Sequence, residues 1–578
     1  MSPEERAASK RDHAKHVLSL RTTDDIDVPD SSAKKSLDWV VFGVTGAIAL
    51  AFVVWGFSST NSLGKASSSA QSWVITNTGW FFVLMSSFFV LFVLWLAASK
   101  YGKIPLGADN EKPEFKTVSW IAMMFSAGMG IGLMFFGVAE PLTHYAGPPP
   151  GTSEAQSDEA LQTAMATTMF HWALHPWAIY ALVGVAIAYG TFRKGRSQLI
   201  SSVFRPLLGE KSEGPIGRVI DILAIFATLF GSAASLGLGA LQIGSGLEFN
   251  GWVGAVGTPL LVSIIAILTI CFVASAVSGI EKGIQWLSNT NMVLALILAV
   301  FVFVVGPTLL ILNLLPTALG DYASQMTEMA SRTAASGDDA MAEWLSTWTI
   351  FYWAWWISWT PFVGMFIARI SRGRTIRGFV TGVLFVPSLV SLVWFAVFGG
   401  AGIDSQRNVG NLVGEGGTVN SNSALFQLLE NYPFTAITTV LVMVLVGIFF
   451  VSGADAASIV MGTLSERGNI EPSKPTVVFW GVLTGGVAAI MLVIGGGGSS
   501  ALDGLQSLTI VASLPFVVIM VLLCISLYKD LQSDPMILRG QMGEELVEGA
   551  VVQGVEAHRD DFGLVTQPVD QTEPDARG

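Results

Sequence analysis

Apolar runs of about 20 residues, each long enough to cross the ~30 Å hydrocarbon core as a helix, alternate with short polar stretches along this chain. Twelve such runs lie near 38–57, 79–98, 118–143, 166–191, 219–244, 258–278, 290–315, 344–368, 378–400, 436–462, 476–495 and 508–528. The pattern predicts an all-α membrane protein with twelve transmembrane helices. Two runs read as interrupted. The third contains SAGMGIGLMFFG, with Gly128, Gly130, Gly132 and Gly137 close together, and the tenth contains VSGADAAS, where Gly453 and Asp455 break the apolar sequence. Glycines at i, i+2 and i+4 are poor for a continuous helix. Unwound backbone at membrane depth is tolerated only where it is buried or lines a cavity, and in secondary transporters it marks ion and substrate sites. Gly128 and Gly132 also fit the spacing of close helix packing. Between the seventh and eighth runs, residues 316–343 are polar with apolar positions spaced for an external amphipathic helix. A solvated linker is the plainer alternative.

Composition supports the membrane assignment. Hydrophobic residues make up 52% and charged residues 13% of 578 positions, where a soluble domain carries about a quarter charged. With twelve crossings and the N-terminus inside, 28 of the 31 Lys and Arg residues fall in cytoplasmic segments and 3 in external loops. A miscounted span would scramble that split, so the charges support both number and orientation, with both termini cytoplasmic. Residues 1–37 are polar and mixed in charge, and read as a disordered cytoplasmic tail without a signal peptide. Cys271 and Cys524 lie inside apolar runs, which excludes a disulfide framework. The net charge of −12 comes mostly from loops and tails.

The eighth run opens with FYWAWWISW, which places Trp353, Trp355, Trp356 and Trp359 within seven positions. The fourth contains HWALHPWAIY, and on a helical wheel its Trp172, Trp177 and Tyr180 share one side. Two helices thus each offer an aromatic wall. Ring faces of Trp and Tyr attract a cation that lacks N–H donors, such as a trimethylammonium head, through their quadrupoles. An interfacial aromatic belt is the alternative, although Trp355, Trp356 and Trp359 lie well inside their run. His171 and His175, at i, i+4, look like half a metal site, but no third ligand stands near them in sequence. GGGGSS at 495–500 lacks the Lys-Ser/Thr ending of a phosphate loop. No nucleotide-binding, redox or hydrolase signature occurs, so the chain reads as a non-enzyme without a cofactor or nucleic-acid partner, driven by an ion gradient unless it is passive.

SAGMGIGLMFFG, TMFHWALHPWAIY and FYWAWWISWTPFVGMFIARISRGR together resemble the betaine/carnitine/choline transporter (BCCT) family, and most closely its sodium-coupled glycine betaine carriers from actinobacteria. The resemblance runs from about residue 38 to 530. It implies a LeuT-like fold with two inverted five-helix repeats, at 118–315 and 344–528, joined by the linker 316–343. Two additional helices (38–117) precede the repeats, an acidic cytoplasmic tail (529–578) follows them, and the assembly is a homotrimer. Carried over residue by residue, the ammonium box falls on Trp172, Trp177, Tyr180 and Trp356. Trp355 and Trp359 resemble members of the box and its exit path, Phe135 resembles an outer gate, and Phe362 flanks an ion site. One Na⁺ site would use Thr228 and Ser232. The other would use Ser126, Met129 and Phe449 through their carbonyls, with the Ser452 hydroxyl.

Two departures from the family pattern stand out. Gly453 follows Ser452 where the sodium-coupled carriers have a second hydroxyl residue, which removes an oxygen from a set that a hard cation needs. Asp455 is then either a cap for a broken helix or a charge assisting the ion. In the tail, residues 530–578 hold eleven Asp/Glu against Arg539, Arg559 and Arg577, unlike the basic helix with which osmotically regulated members read anionic lipid. The expectation is a Na⁺ symporter importing a zwitterionic osmolyte, glycine betaine first. The methylammonium would rest in the aromatic box, and backbone N–H groups of Gly128, Met129, Gly130 and Gly132 would receive the carboxylate. Ectoine or proline symport and Na⁺-independent exchange are the rivals within transport. A passive channel or membrane sensor is the rival from another class.

Overall fold

The computed structural model describes residues 36–128, 130–278, 281–496, 501–561 and 563. Its longer helices are α1 (Trp39–Ser58), α2 (Thr60–Ala98), α3 (Thr117–Gly128), α4 (Ile131–Ala146), α5 (Asp158–Trp172), α6 (Leu174–Ala188), α7 (Pro215–Phe249) and α8 (Thr258–Ser278). They continue with α9 (Glu281–Val305), α10 (Thr308–Ser331), α11 (Phe351–Arg369), α12 (Ile376–Asn408), α13 (Thr435–Ser465), α14 (Lys474–Ile494), α15 (Ala501–Gln532) and α16 (Pro535–His558). Among the described residues nine helices are long and apolar enough to cross a membrane, and α9 with α10, bent by 109°, makes a tenth. The third and eighth runs are helical as well. The third is split into helices of 12 and 16 residues, each too short to cross the hydrocarbon core alone. α11 spends its length on Trp, Ser, Thr and Pro.

The third run breaks as expected: Gly130 stands extended (φ −160°, ψ −175°) ahead of α4. The tenth run does not. α13 passes through Gly453 and Asp455 as one helix. A lone glycine costs a helix about 1 kcal/mol, whereas freeing backbone hydrogen bonds in hydrocarbon costs several per group. Asp455 therefore caps no helix end, and instead accepts a hydrogen bond from Ser275 Oγ on α8 at 3.3 Å.

A break the sequence pattern did not announce lies in the fourth run, at Ala173 between α5 and α6. Pro176 has no N–H to offer the carbonyl four residues back, that of Trp172. Ser391 Oγ on α12 takes that carbonyl at 3.0 Å. The external linker also differs from the expectation. Its helix starts at Thr308, not 316, and runs to Ser331, so the boundary placed at 315 falls inside α10.

Four packing pairs organise the bundle: α11 on α6, α4 on α12, α7 on α13, and α8 on α14. α2 is 39 residues long and polar in its first half, with Gln71 accepting from Ser507 Oγ of α15 at 2.5 Å. The end of the chain is tied down by charge. Buried Arg193 donates to Asp534, the N-cap of α16, through Nε at 2.6 Å and Nη2 at 2.9 Å. It also reaches Asp109 at 2.8 Å, and Tyr189 Oη donates to Asp534 at 2.9 Å.

Arg193→Ala leaves the buried Asp534 carboxylate without its guanidinium partner, while Asp109 keeps Arg539, and is expected to cost about 3–5 kcal/mol, read as a lower unfolding temperature in detergent. Burial alone would raise the Asp534 pKa, but the bonds from Arg193 hold it below the usual carboxylate value. This carboxylate's contribution to stability is therefore present at neutral pH and is lost as pH falls through the lowered value.

Candidate functional site

The break between α5 and α6 and the tryptophan face of α11 bring four rings into one chain. Trp172 meets Trp356 edge to face at 4.9 Å. Trp356 meets Tyr180 at 6.4 Å, and Tyr180 meets Trp177 at 5.5 Å. All four are buried, none more than 6% exposed. Trp355 stacks on Trp356 at 4.7 Å and 15°. Trp359 lies 6.2 Å from Trp355 and 5.7 Å from Phe362, which continues the aromatic run down α11. Trp353 turns away and stacks on His175 at 4.8 Å. The tryptophan block is thus no belt of rings facing lipid: three of its members form one run of contacting rings, and the fourth packs against His175.

Four of the rings are held by their N–H groups. Trp356 Nε1 donates to the His171 carbonyl (3.0 Å), Trp355 Nε1 to Ser235 Oγ (3.1 Å), and Trp359 Nε1 to the Gly231 carbonyl (2.9 Å). Trp172 Nε1 donates to Glu140 Oε2 at 2.6 Å. Glu140 is fully buried and also accepts from Tyr352 Oη and from His171 Nδ1, the latter at 2.7 Å. A carboxylate so placed fixes the Trp172 plane with charge-assisted hydrogen bonds, which are roughly twice as strong as neutral ones. In contrast, the Tyr180 hydroxyl is buried with no partner among the described residues. An unpaired hydroxyl of this kind is costly.

The first turn of α4 closes the box from another side. A Cβ built on Gly132 would stand 2.8 Å from Trp355 Cη2 and 2.9 Å from Trp172 Cη2. The rings therefore rest on bare backbone, and the first N–H groups of α4, which have no partner within the helix, lie beside them. Phe135 is buried against Phe136 at 4.8 Å. It is Phe136 that reaches Trp172 at 6.1 Å, Tyr352 at 5.6 Å and Trp355 at 6.2 Å.

Of the residues expected to hold Na⁺, Met129 and the side chain of Ser126 lie outside the described residues, and Gly128 is the last residue of α3. Thr228 Oγ1 bonds the Ala224 carbonyl at 2.9 Å, and Ser452 Oγ bonds the Ile448 carbonyl at 2.9 Å, both within their own helices. Phe449 is buried one turn before Ser452. Among the described residues, Ser232 Oγ is buried without a partner, as is Ser358 Oγ on α11. The two helices cross tightly here: a Cβ on Gly231 would stand 2.7 Å from Ser358 Cβ.

Sequence reasoning missed Glu140, Tyr352, Phe136 and Phe395, whose ring meets Trp172 at 5.4 Å. An acid inside an apolar run was the available signal for Glu140. The other three are ordinary core residues by pattern.

The fold is that of a multi-pass α-helical membrane protein with a chain of buried aromatic rings at a broken helix. The profile of the BCCT, betaine/carnitine/choline family transporter, matches residues 40–536. Relatives include the betaine/ectoine transporter LcoP of Corynebacterium glutamicum, 47% identical over 94% of this chain and 86% of its own length. The glycine betaine transporter OpuD of Bacillus subtilis is 45% identical over 86% and 94%, and a probable glycine betaine transporter of Desulfitobacterium hafniense is 42% identical over 86% and 97%. The chain belongs to the BCCT family: it is a membrane transporter and not an enzyme.

Gly132→Ala tests the close approach directly. Its methyl must displace two rings that are pinned by Glu140 and Ser235, so solute uptake is expected to fall at least tenfold at wild-type expression, matching an overpacking cost of about 1–3 kcal/mol. Unchanged uptake would mean that Gly132 does not support the box.

Proposed function

We propose that this chain imports a zwitterionic compatible solute, glycine betaine first, by Na⁺ symport with alternating access. The observation that carries the proposal is the continuous ring chain Trp172–Trp356–Tyr180–Trp177 with the unpartnered Tyr180 hydroxyl. Edge-to-face rings at 4.9 Å leave no space between Trp172 and Trp356, so a methylammonium enters by parting them or by seating on the faces they turn to Tyr180 and Trp177. Cation–π attraction there is worth about 2 kcal/mol or more when desolvated. No acid occurs between Gly128 and Gly137, which suits a substrate carrying its own counter-charge. Ectoine is a second reading, favoured by the 47% identity to the betaine/ectoine transporter of Corynebacterium glutamicum.

The four packing pairs support two inverted repeats. If the third to seventh crossings correspond to the eighth to twelfth, α11 on α6 and α4 on α12 are counterparts, while α7 on α13 and α8 on α14 each map onto themselves. The LeuT-like architecture, the homotrimer and the cytoplasmic placement of both termini belong to the same reading, the last resting on the distribution of Lys and Arg. The buried, unpartnered Ser232 hydroxyl supports an ion site at the α7–α11 crossing, and Na⁺ bound there would favour the closed, occupied state. Ser452 contributes to a second site once its hydroxyl turns from the Ile448 carbonyl.

Reconstituted vesicles separate these possibilities. Betaine should accumulate only with an inward Na⁺ gradient, and Trp356→Ala should weaken apparent affinity at least tenfold, with Trp356→Phe milder because a smaller quadrupole remains. Equal kinetics in wild type and Trp356→Ala would remove the cage assignment, and ectoine outcompeting betaine would select the second reading. Ser452→Ala should shift Na⁺ dependence to higher concentration. Uptake that follows a proton gradient and ignores Na⁺ would overturn the ion assignment.

A further inference from the structure

Behind the aromatic wall, α4 and α5 bring three metal-binding side chains to one point. Glu140 Oε1 lies 2.7 Å from His171 Nδ1 and 3.6 Å from His144 Nε2. The three ligand atoms all fall within 4.8 Å of one another. All three residues are fully buried, yet neither ring nitrogen of His144 has a hydrogen-bond partner among the described residues. A buried imidazole ordinarily finds one. Nothing in the binding of a betaine-like solute uses this ring, which is wedged against Trp348 at 4.6 Å and Trp344 at 5.6 Å.

The surroundings fit a cation held by Glu140, His144 and His171. Glu140 Oε2 is committed to Trp172 and Tyr352, while Oε1 meets His171 Nδ1 at 2.7 Å, so an ion entering here displaces the proton between those two atoms and takes both as ligands. His171 Nε2 lies 3.0 Å from Thr349 Oγ1, the kind of outer hydrogen bond that orients a ligating histidine and fixes its tautomer. Two imidazoles and one carboxylate form a three-ligand zinc set that leaves a fourth position for water. Arg332, which stacks over Trp344 at 6.0 Å, is paired with Glu328 at 3.0 Å, so its charge is partly answered. The histidine pair suggested by spacing is the wrong one, because His175 lies 3.4 Å from Ser87 Oγ and against Trp353.

We infer that Glu140, His144 and His171 form a site for a borderline divalent transition-metal ion of the Zn²⁺ class, which fixes the α4–α5 corner carrying Trp172. The site stands whether the solute is betaine or ectoine and whether or not Na⁺ drives uptake. The test uses the purified full chain in detergent, stripped with EDTA and titrated with Co²⁺ or Zn²⁺. Co²⁺ should give visible absorption bands of a low-coordinate site. Zn²⁺ should raise the apparent unfolding temperature by roughly 2–5 °C at saturating metal, and Mg²⁺, which prefers an all-oxygen octahedron, should not. His144→Gln should lose both the bands and the shift. His144→Phe, which keeps the ring volume, should behave the same way. Absence of bands and shift in the wild type, or their persistence in both His144 variants, overturns the site.

Discussion

A carboxylate with no access to water holds together the corner of this transporter where α4, α5 and α11 meet. Glu140 accepts from Trp172, Tyr352 and His171, which stand on α5 and α11 while Glu140 itself stands on α4. In a low-dielectric interior such bonds are strong when complete and expensive when broken, so the three helices meet in one arrangement. The Trp172 plane follows from that meeting. Trp356 is set against it through the carbonyl of His171, the very residue whose ring Glu140 engages. The cage is therefore built on a polar network, although its visible surface is aromatic.

Proline, serine and glycine supply the remaining geometry. Pro176 frees the Trp172 carbonyl, Ser391 of α12 accepts the task of satisfying it, and the kink lets Trp172 and Trp177 stand on separate helices within one ring chain. Gly130 interrupts the third crossing so that α4 begins at the cage, and Gly132 admits two indoles against its backbone. Each device follows the rule that backbone freed at membrane depth must find a partner or line a site.

Much of this was legible in the sequence, and the failures are specific. Apolar run length located helices at every predicted crossing because hydrocarbon thickness is a hard constraint. The ring chain was legible because so many tryptophans in one run have few structural uses. The tenth crossing was misjudged because glycine and aspartate signal a break only by propensity, and hydrogen-bond satisfaction in an apolar medium outweighs propensity. The start of α10 was missed because a 109° turn at Gly306 and Pro307 leaves the apolar pattern nearly continuous. Glu140 with His144 and His171 escaped because the three converge only through the packing of α4 on α5, which no local spacing records.

Gly132 also constrains how this protein can change over generations. Every substitution there adds at least one carbon into a space bounded by two pinned indoles, so the position offers no small steps. A lineage shifting toward a bulkier or differently charged solute would find its gradual path elsewhere around the cage, where side chains such as Phe395 and Tyr180 can be trimmed one group at a time. The glycine would then persist through such a shift while its neighbours diverged, and a comparison of carriers with different solutes would find variation concentrated on the far walls.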